Sequence, residues 1–188
     1  LLLLVGCTTN QGGSSKIDPP PSLSYEDEDF NQRFDETKPT DEAMKNLWRF
    51  TDKSFSLLRE EENRLYSPLS LYLALDMLKE GAEGETLEEL KSLLGEGIDP
   101  KKLMDHLSVD VEDARLLIAN SFWAQEGFPL KEEFIQNLKD KFYATGQEVN
   151  LGTQEGMDQI SSWIDENTMG KIMPQFEPNE DYRLFLVN

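Results

Sequence analysis

Among its 188 residues the chain has one cysteine, Cys7, and one histidine, His106. His106 lies among Lys101, Lys102, Met104, Asp105 and Leu107, with no nucleophile motif such as Gly-x-Ser-x-Gly in the chain, so it reads as a surface or helix-packing residue and not as a general base. One histidine and one cysteine give no zinc-ligand spacing, and no Gly-rich phosphate loop occurs, so no metal or cofactor is expected. The inventory does not support an enzyme. The other candidates are polar residues where apolar segments start or stop. Ser67 precedes Pro68 at the head of an apolar run, where the hydroxyl can accept a helix N–H and the proline has no donor to lose. In Thr168-Met169-Gly170-Lys171-Ile172, Gly170 suits the left-handed end of a helix and Lys171 lies near its negative pole. Asn120 interrupts one apolar run and Asn188 ends another.

Cys7 has a context of its own. Leu1 to Val5 is too short an apolar run to cross a bilayer, which takes about 20 residues, but it has the character of the end of a signal peptide. Leu4-Val5-Gly6-Cys7 resembles a bacterial lipobox, in which the thiol accepts diacylglycerol and the cysteine becomes the first residue. Residues 1–7 are therefore expected to be the end of a lipoprotein signal peptide. Residues 8–39 run from Asn/Gly/Ser through Pro19-Pro20-Pro21 to Glu26-Asp27-Glu28-Asp29 without helical or strand periodicity, which predicts a disordered tether. The acidic run lacks the Gly-turned spacing of a calcium loop. A flexible coil of about 30 residues would hold a domain roughly 30 Å from its anchor.

The elements that must position the remaining candidates begin near Thr40, which can cap a helix starting at Asp41-Glu42 and carrying Met44, Leu47, Trp48, Phe55 and Leu58 on one face. A short strand is expected around Arg64-Leu65-Tyr66. The helix opened by Ser67-Pro68 is apolar almost all round, with Leu69, Leu71, Leu73, Ala74, Leu75, Met77 and Leu78, and should lie inside the protein. Thr86 and Glu89 form a capping-box pattern for a helix carrying Leu87, Leu90, Leu93 and Leu94 up to Gly95. After a polar segment holding Asp99-Pro100, Arg115 to Gln125 reads as a strand covered on both faces, interrupted at Asn120-Ser121. Helical spacing returns from Lys131 to Phe142, Glu148 to Leu151 is a short strand, Met157, Ile160 and Ile164 mark another helix, and Tyr182 to Asn188 is a last strand. The order predicts a mixed α+β fold, and no fixed-period repeat suggests a solenoid. Thirty-seven acids against eighteen Lys and Arg give a formal charge of -19, which repels phosphate backbones, so nucleic acid is not an expected partner.

Three blocks, in this order and spacing, resemble the serpins. Ser67-Pro68-Leu69-Ser70 through Met77-Leu78 to Gly81-Ala82-Glu83-Gly84-Glu85-Thr86 is similar to the second serpin helix and its turn into the third. Ile118-Ala119-Asn120-Ser121-Phe122-Trp123, followed by Phe128 to Phe134, resembles a strand of the main sheet and the helix after it. Trp163 to Ile172, then Arg183-Leu184-Phe185-Leu186-Val187-Asn188, resembles the helix that crosses the sheet and the next sheet strand. The resemblance covers residues 40–188 and implies the N-terminal part of a serpin fold, helices packed on a large mixed or antiparallel sheet, ending before the reactive loop.

The resemblance implies an inhibitor of serine proteases, and of cysteine proteases in some members, that works by suicide trapping. The protease cleaves an exposed loop, the loop enters the main sheet as a new strand, and the acyl-enzyme is distorted. Insertion is strand addition within one chain, which the native state postpones kinetically. In the family a polar cluster beneath the sheet controls its opening; Ser67, Ser70 and Asn188 match it, whereas Pro68, Asn120, Thr168, Gly170, Lys171 and Ile172 match positions with architectural roles. Further expectations are a monomer, a cell-envelope or extracellular location, and membrane contact only through the lipid on Cys7. Asp99 to Asp113 is mainly acidic, so a polysaccharide-binding basic helix is not expected there. The alternative reading is a serpin-fold binding or scaffold protein that does not insert its loop.

Overall fold

A computed structural model describes residues 30–57, 66–111 and 114–188. The elements in chain order are α1 (Phe30–Thr37), α2 (Asp41–Ser56), α3 (Pro68–Lys79), α4 (Gly84–Leu94), α5 (Pro100–Leu107), β1 (Val109–Val111), β2 (Ala114–Leu116), β3 (Ser121–Gln125), α6 (Glu132–Phe142), β4 (Thr145–Val149), α7 (Gln154–Asn167) and β5 (Leu184–Val187). β1 and β2 form a small antiparallel pair. The main sheet has the order β4-β3-β5, with β4 parallel to β3 and β5 antiparallel to it. Cys7 and the segment 8–29 lie outside the described residues, as do Leu58, Arg64 and Leu65.

β3 is covered on both faces, as its apolar run requires, and its period of two divides the core. Phe122, with Leu184 and Leu186 of β5, faces Leu73, Ala74 and Met77 of α3, Met104 of α5, and Phe134, Leu138 and Phe142 of α6. Trp123, with Phe185 and Val187, faces Met157, Ile160 and Ile164 of α7. α3 is therefore the interior helix that its composition predicts, although Leu78 reaches the surface. A third cluster joins α2, α3 and α4 through Phe50, Tyr72 and Leu94, with the Phe50 and Tyr72 rings edge to face at 5.4 Å. Each large apolar side chain buried in these clusters stabilises the fold by about 1.5–3 kcal/mol.

Several local expectations are corrected. Residues 30–37, assigned to the tether, form helix α1. Helix α2 is capped by Thr40 as expected, its hydroxyl accepting from Ala43 N, but it buries Ala43, Asn46 and Phe50, while Trp48 and Phe55 are 67% and 58% exposed. The face is rotated because Asn46 belongs inside: its Nδ2 donates to Glu96 O at 2.7 Å and its side chain lies where a Cβ on Gly95 would stand. Helix α4 starts at Gly84 with no side-chain cap, so the Thr86–Glu89 pattern falls inside its first turns. The polar segment after Ile98 is a helix, α5, with Asp99 accepting from Lys102 N and Pro100 at its first position. The strand expected from Arg115 to Gln125 breaks into β2 and β3, and β4 begins at Thr145, ahead of its expected start at Glu148.

Candidate conformational-control site

The antiparallel register pairs Ser121 with Val187, so Asn120 and Asn188 stand opposite each other one step beyond the paired ends of β3 and β5. Both are buried, at 2% and 4% exposure. Asn188 Nδ2 donates to Asn120 Oδ1 at 2.7 Å. Asn120 Nδ2 donates to Phe142 O at 2.7 Å and lies 3.2 Å from Met104 Sδ. The Asn120 main-chain carbonyl accepts from Thr145 N at 3.0 Å, where β4 begins. One asparagine thus gathers the start of β3, the end of α6, the start of β4 and, through Asn188, the end of β5. Such a bond between neutral groups is worth only about 0.5–1.5 kcal/mol net, but leaving a buried partner unsatisfied costs about 1–3 kcal/mol.

Ser67 and Ser70 form the second pair. Ser67 caps α3, accepting from Ser70 N at 3.2 Å, and the two hydroxyls are 3.0 Å apart. Pro68 takes the first helical position, and Ser70 is buried. The α3 helix packs against β5, which brings the serines to the same side of the sheet as Leu184 and Leu186. Among the described residues no hydrogen bond joins the serine pair to the asparagine pair. Met104, Phe142 and Thr145 were missed by sequence reasoning. Two of them act through backbone atoms that carry no sequence signal, although pairing β3 with β5 in register would have aligned Asn120 with Asn188.

The segment after α7 is a turn of a different kind. Gly170 N donates to Asp165 O at 2.8 Å and Met169 N to Glu166 O at 3.4 Å, the two bonds of a Schellman motif. Both Met169 (φ 54°) and Gly170 (φ 71°) are left-handed, so a methionine occupies the place a glycine usually takes. Thr168 is buried, and its Oγ1 donates to Ile172 O and accepts from Ile172 N at 3.0 Å. Lys171 is exposed. These bonds close the C-terminal end of α7.

Further polar side chains lie in or beside the core. Asp76 of α3 is 1% exposed and paired with Lys79, and burial, only partly offset by Lys79, raises its carboxyl above the usual range. Burial, helped by Asp76, also raises the Tyr72 hydroxyl. His106 stacks on Phe34, with ring centroids 4.0 Å apart, and packs α5 against α1. Among the described residues no group of three His, Cys, Asp or Glu side chains could hold a metal ion, and no helix is long and apolar enough to cross a membrane.

The comparisons with known proteins agree with this layout. The profile of the family described as Serpin (serine protease inhibitor) matches residues 46–188. Alpha-2-antiplasmin of Bos taurus is 34% identical over 143 residues, covering 71% of this chain and 29% of that protein. Neuroserpin of Gallus gallus is 31% identical, with 69% and 35% covered, so the chain spans about a third of the length of the curated relatives it matches. Among solved structures, the thermophilic serpin tengpin in the latent state superposes with a TM-score of 0.66 at 28% identity, over 79% of this chain and 43% of that one. Reaction-loop-cleaved lamprey angiotensinogen superposes with a TM-score of 0.69 at 21% identity, over 82% and 46%, which speaks for the fold alone. With 143 consecutive positions matched by the family profile and its helices and mixed sheet in the serpin arrangement, the chain belongs to the serpin family and forms an N-terminal portion of the serpin domain.

Proposed function

We propose that the whole protein to which this chain belongs inhibits serine proteases by covalent trapping with insertion of a reactive loop, and that Asn120, Asn188, Ser67 and Ser70 regulate the opening of its main sheet. The observation that carries this reading is the Asn188–Asn120 bond, buried where β3 and β5 meet. That bond ties the end of β5 to the start of β3 and, through Asn120, to the end of α6, beneath the sheet that the loop must enter. A buried polar cluster that is costly to leave unsatisfied resists any rearrangement beside it, which suits a group that controls when the sheet opens. Membership of a family of protease inhibitors supports the target class. The test is incubation of the full-length protein with a panel of serine proteases. A covalent complex of the summed masses on denaturing gels is expected. Cleavage without a complex across the panel would overturn trapping and leave a serpin-fold binding or scaffold protein.

The same protein is proposed to be an extracytoplasmic lipoprotein held at a membrane by diacylglycerol on Cys7, monomeric, and without nucleic-acid partners. The tetrapeptide Leu4-Val5-Gly6-Cys7 and the polar residues that follow it support the anchor.

A further inference from the structure

Among the described residues the side of β4 turned away from β3 pairs with no strand. The two ends of the β3–β4 ladder fix which backbone groups point that way. Thr145 N donates to Asn120 O, and Val149 O accepts from Glu126 N. In the alternation of a parallel pair, Thr145, Gln147 and Val149 therefore turn both backbone groups to β3, while Gly146 and Glu148 turn theirs outward. Gly146, Gln147 and Glu148 are all exposed. Sheet edges are commonly guarded by a proline, a lysine or a bulge, but β4 holds neither residue and pairs with β3 in unbroken register.

Beside this edge a groove of about 490 Å³ runs between β4 and α6. Gly146 and Glu148 share a face with their register partners on β3, and because Gly146 has no side chain, the Phe122 ring lies across it toward the edge. Phe128, from the turn after β3, and Ile135 of α6 add apolar surface. Of the charged residues lining the groove, Glu132 and Glu148 are acidic and Lys139 is basic, and Glu126 adds an acid where it bonds the end of β4. With the whole chain at a formal charge of -19, an acidic strand, including one from a second copy, is repelled here and a basic one attracted.

From these observations we infer that the outer edge of β4 is a docking site for an extended, basic segment of another protein, which joins the sheet as a further strand. Its main chain bonds the outward groups of Gly146 and Glu148, an apolar side chain enters the groove against Phe122, Phe128 and Ile135, and lysine or arginine beside it meets Glu148 and Glu132. The inference stands apart from protease trapping, since a serpin-fold protein that does not insert its loop would carry the same edge.

The test is fluorescence anisotropy of the full-length protein with a short labelled peptide that alternates valine and threonine and ends in lysines on both sides. Saturable binding is expected. A strand held by one edge uses only every second N–H, so N-methylating one alternate set of residues should abolish binding, whereas methylating the other set should leave it intact. Glu148→Lys, and replacing the peptide's lysines by glutamates, should each weaken binding about tenfold or more. Glu148→Pro, which removes an outward N–H without touching the β3 ladder, should weaken it as well. No binding of the lysine peptide, equal loss from both methylated peptides, or unchanged affinity for the glutamate peptide would overturn the site. Self-association of the full-length protein that Glu148→Pro abolishes would give the edge to a second copy and overturn the basic partner.

Discussion

A buried carboxylate with one flexible partner ties stability to pH in a direction that can be worked out. Burial raises the pKa of Asp76 in the folded state, so between its ordinary value and the raised one the native protein binds more protons than the unfolded chain. Stability from this group therefore falls as pH rises through that window and is gained as pH drops back through it. Asp76→Asn should remove this dependence, with a urea midpoint at pH 7 equal to or above wild type and a flatter profile in mild acid. A neighbouring position makes a steric prediction. A Cβ on Gly146 would stand 1.9 Å from Phe122 Cζ, because that ring lies across its strand partner. Gly146→Ala must push the ring aside and should cost about 1–3 kcal/mol in denaturant unfolding. At the junction, Asn188→Ala should leave Asn120 Oδ1 buried and unpaired, lowering stability by about 1–3 kcal/mol. At this scale the sequence was legible where a side chain caps its own helix, as with Ser67, and illegible where its partner is distant. Asp76 within an apolar helix and Asn46 within a core stripe were hidden because polarity alone argues for the surface.

Elements with local signals were recoverable, and those defined by their partners were not. α3, α6 and α7 follow from apolar spacing and capping residues, and β3 from an apolar run bounded by turns. α1 and α5 were passed over because each is eight residues long and gains its stability from packing, α1 on α5 and α5 on α1, α6 and Tyr143, not from its own periodicity. Asp99-Pro100 was nonetheless a readable start signal for α5. Gly170 was correctly expected to be left-handed, but nothing in the sequence announced that Met169 would be so as well. That yields a prediction for the end of α7. A non-glycine residue in this conformation costs about 1–2 kcal/mol, so Met169→Gly should raise stability by up to about 1 kcal/mol after glycine's entropy is counted, whereas Gly170→Ala should lower it by a similar amount. Melting temperatures of the two variants, measured together, check both signs.

For the molecule as a whole, the charge argued against nucleic acid as a partner and the order of blocks identified the fold, while the proposed attachment rests on one short motif. Globomycin is expected to cause accumulation of the unprocessed form in cells making the full-length protein; unchanged processing with recovery in the soluble fraction would remove the anchor. The fold was legible at this scale because three separated blocks had to agree, whereas the proposed control site needed the β3–β5 register as well. That register has a mechanical consequence. β3 and β4 are joined through a single helix, α6, share a parallel ladder, and are stapled by Asn120 to Phe142 and Thr145. β5 returns to β3 only after α7 and the irregular stretch that follows it. Among the described residues the three strands are nonetheless joined edge to edge by two ladders and by the bonds of Asn120, and under a pulling force β4, β3 and β5 should travel as one leaf.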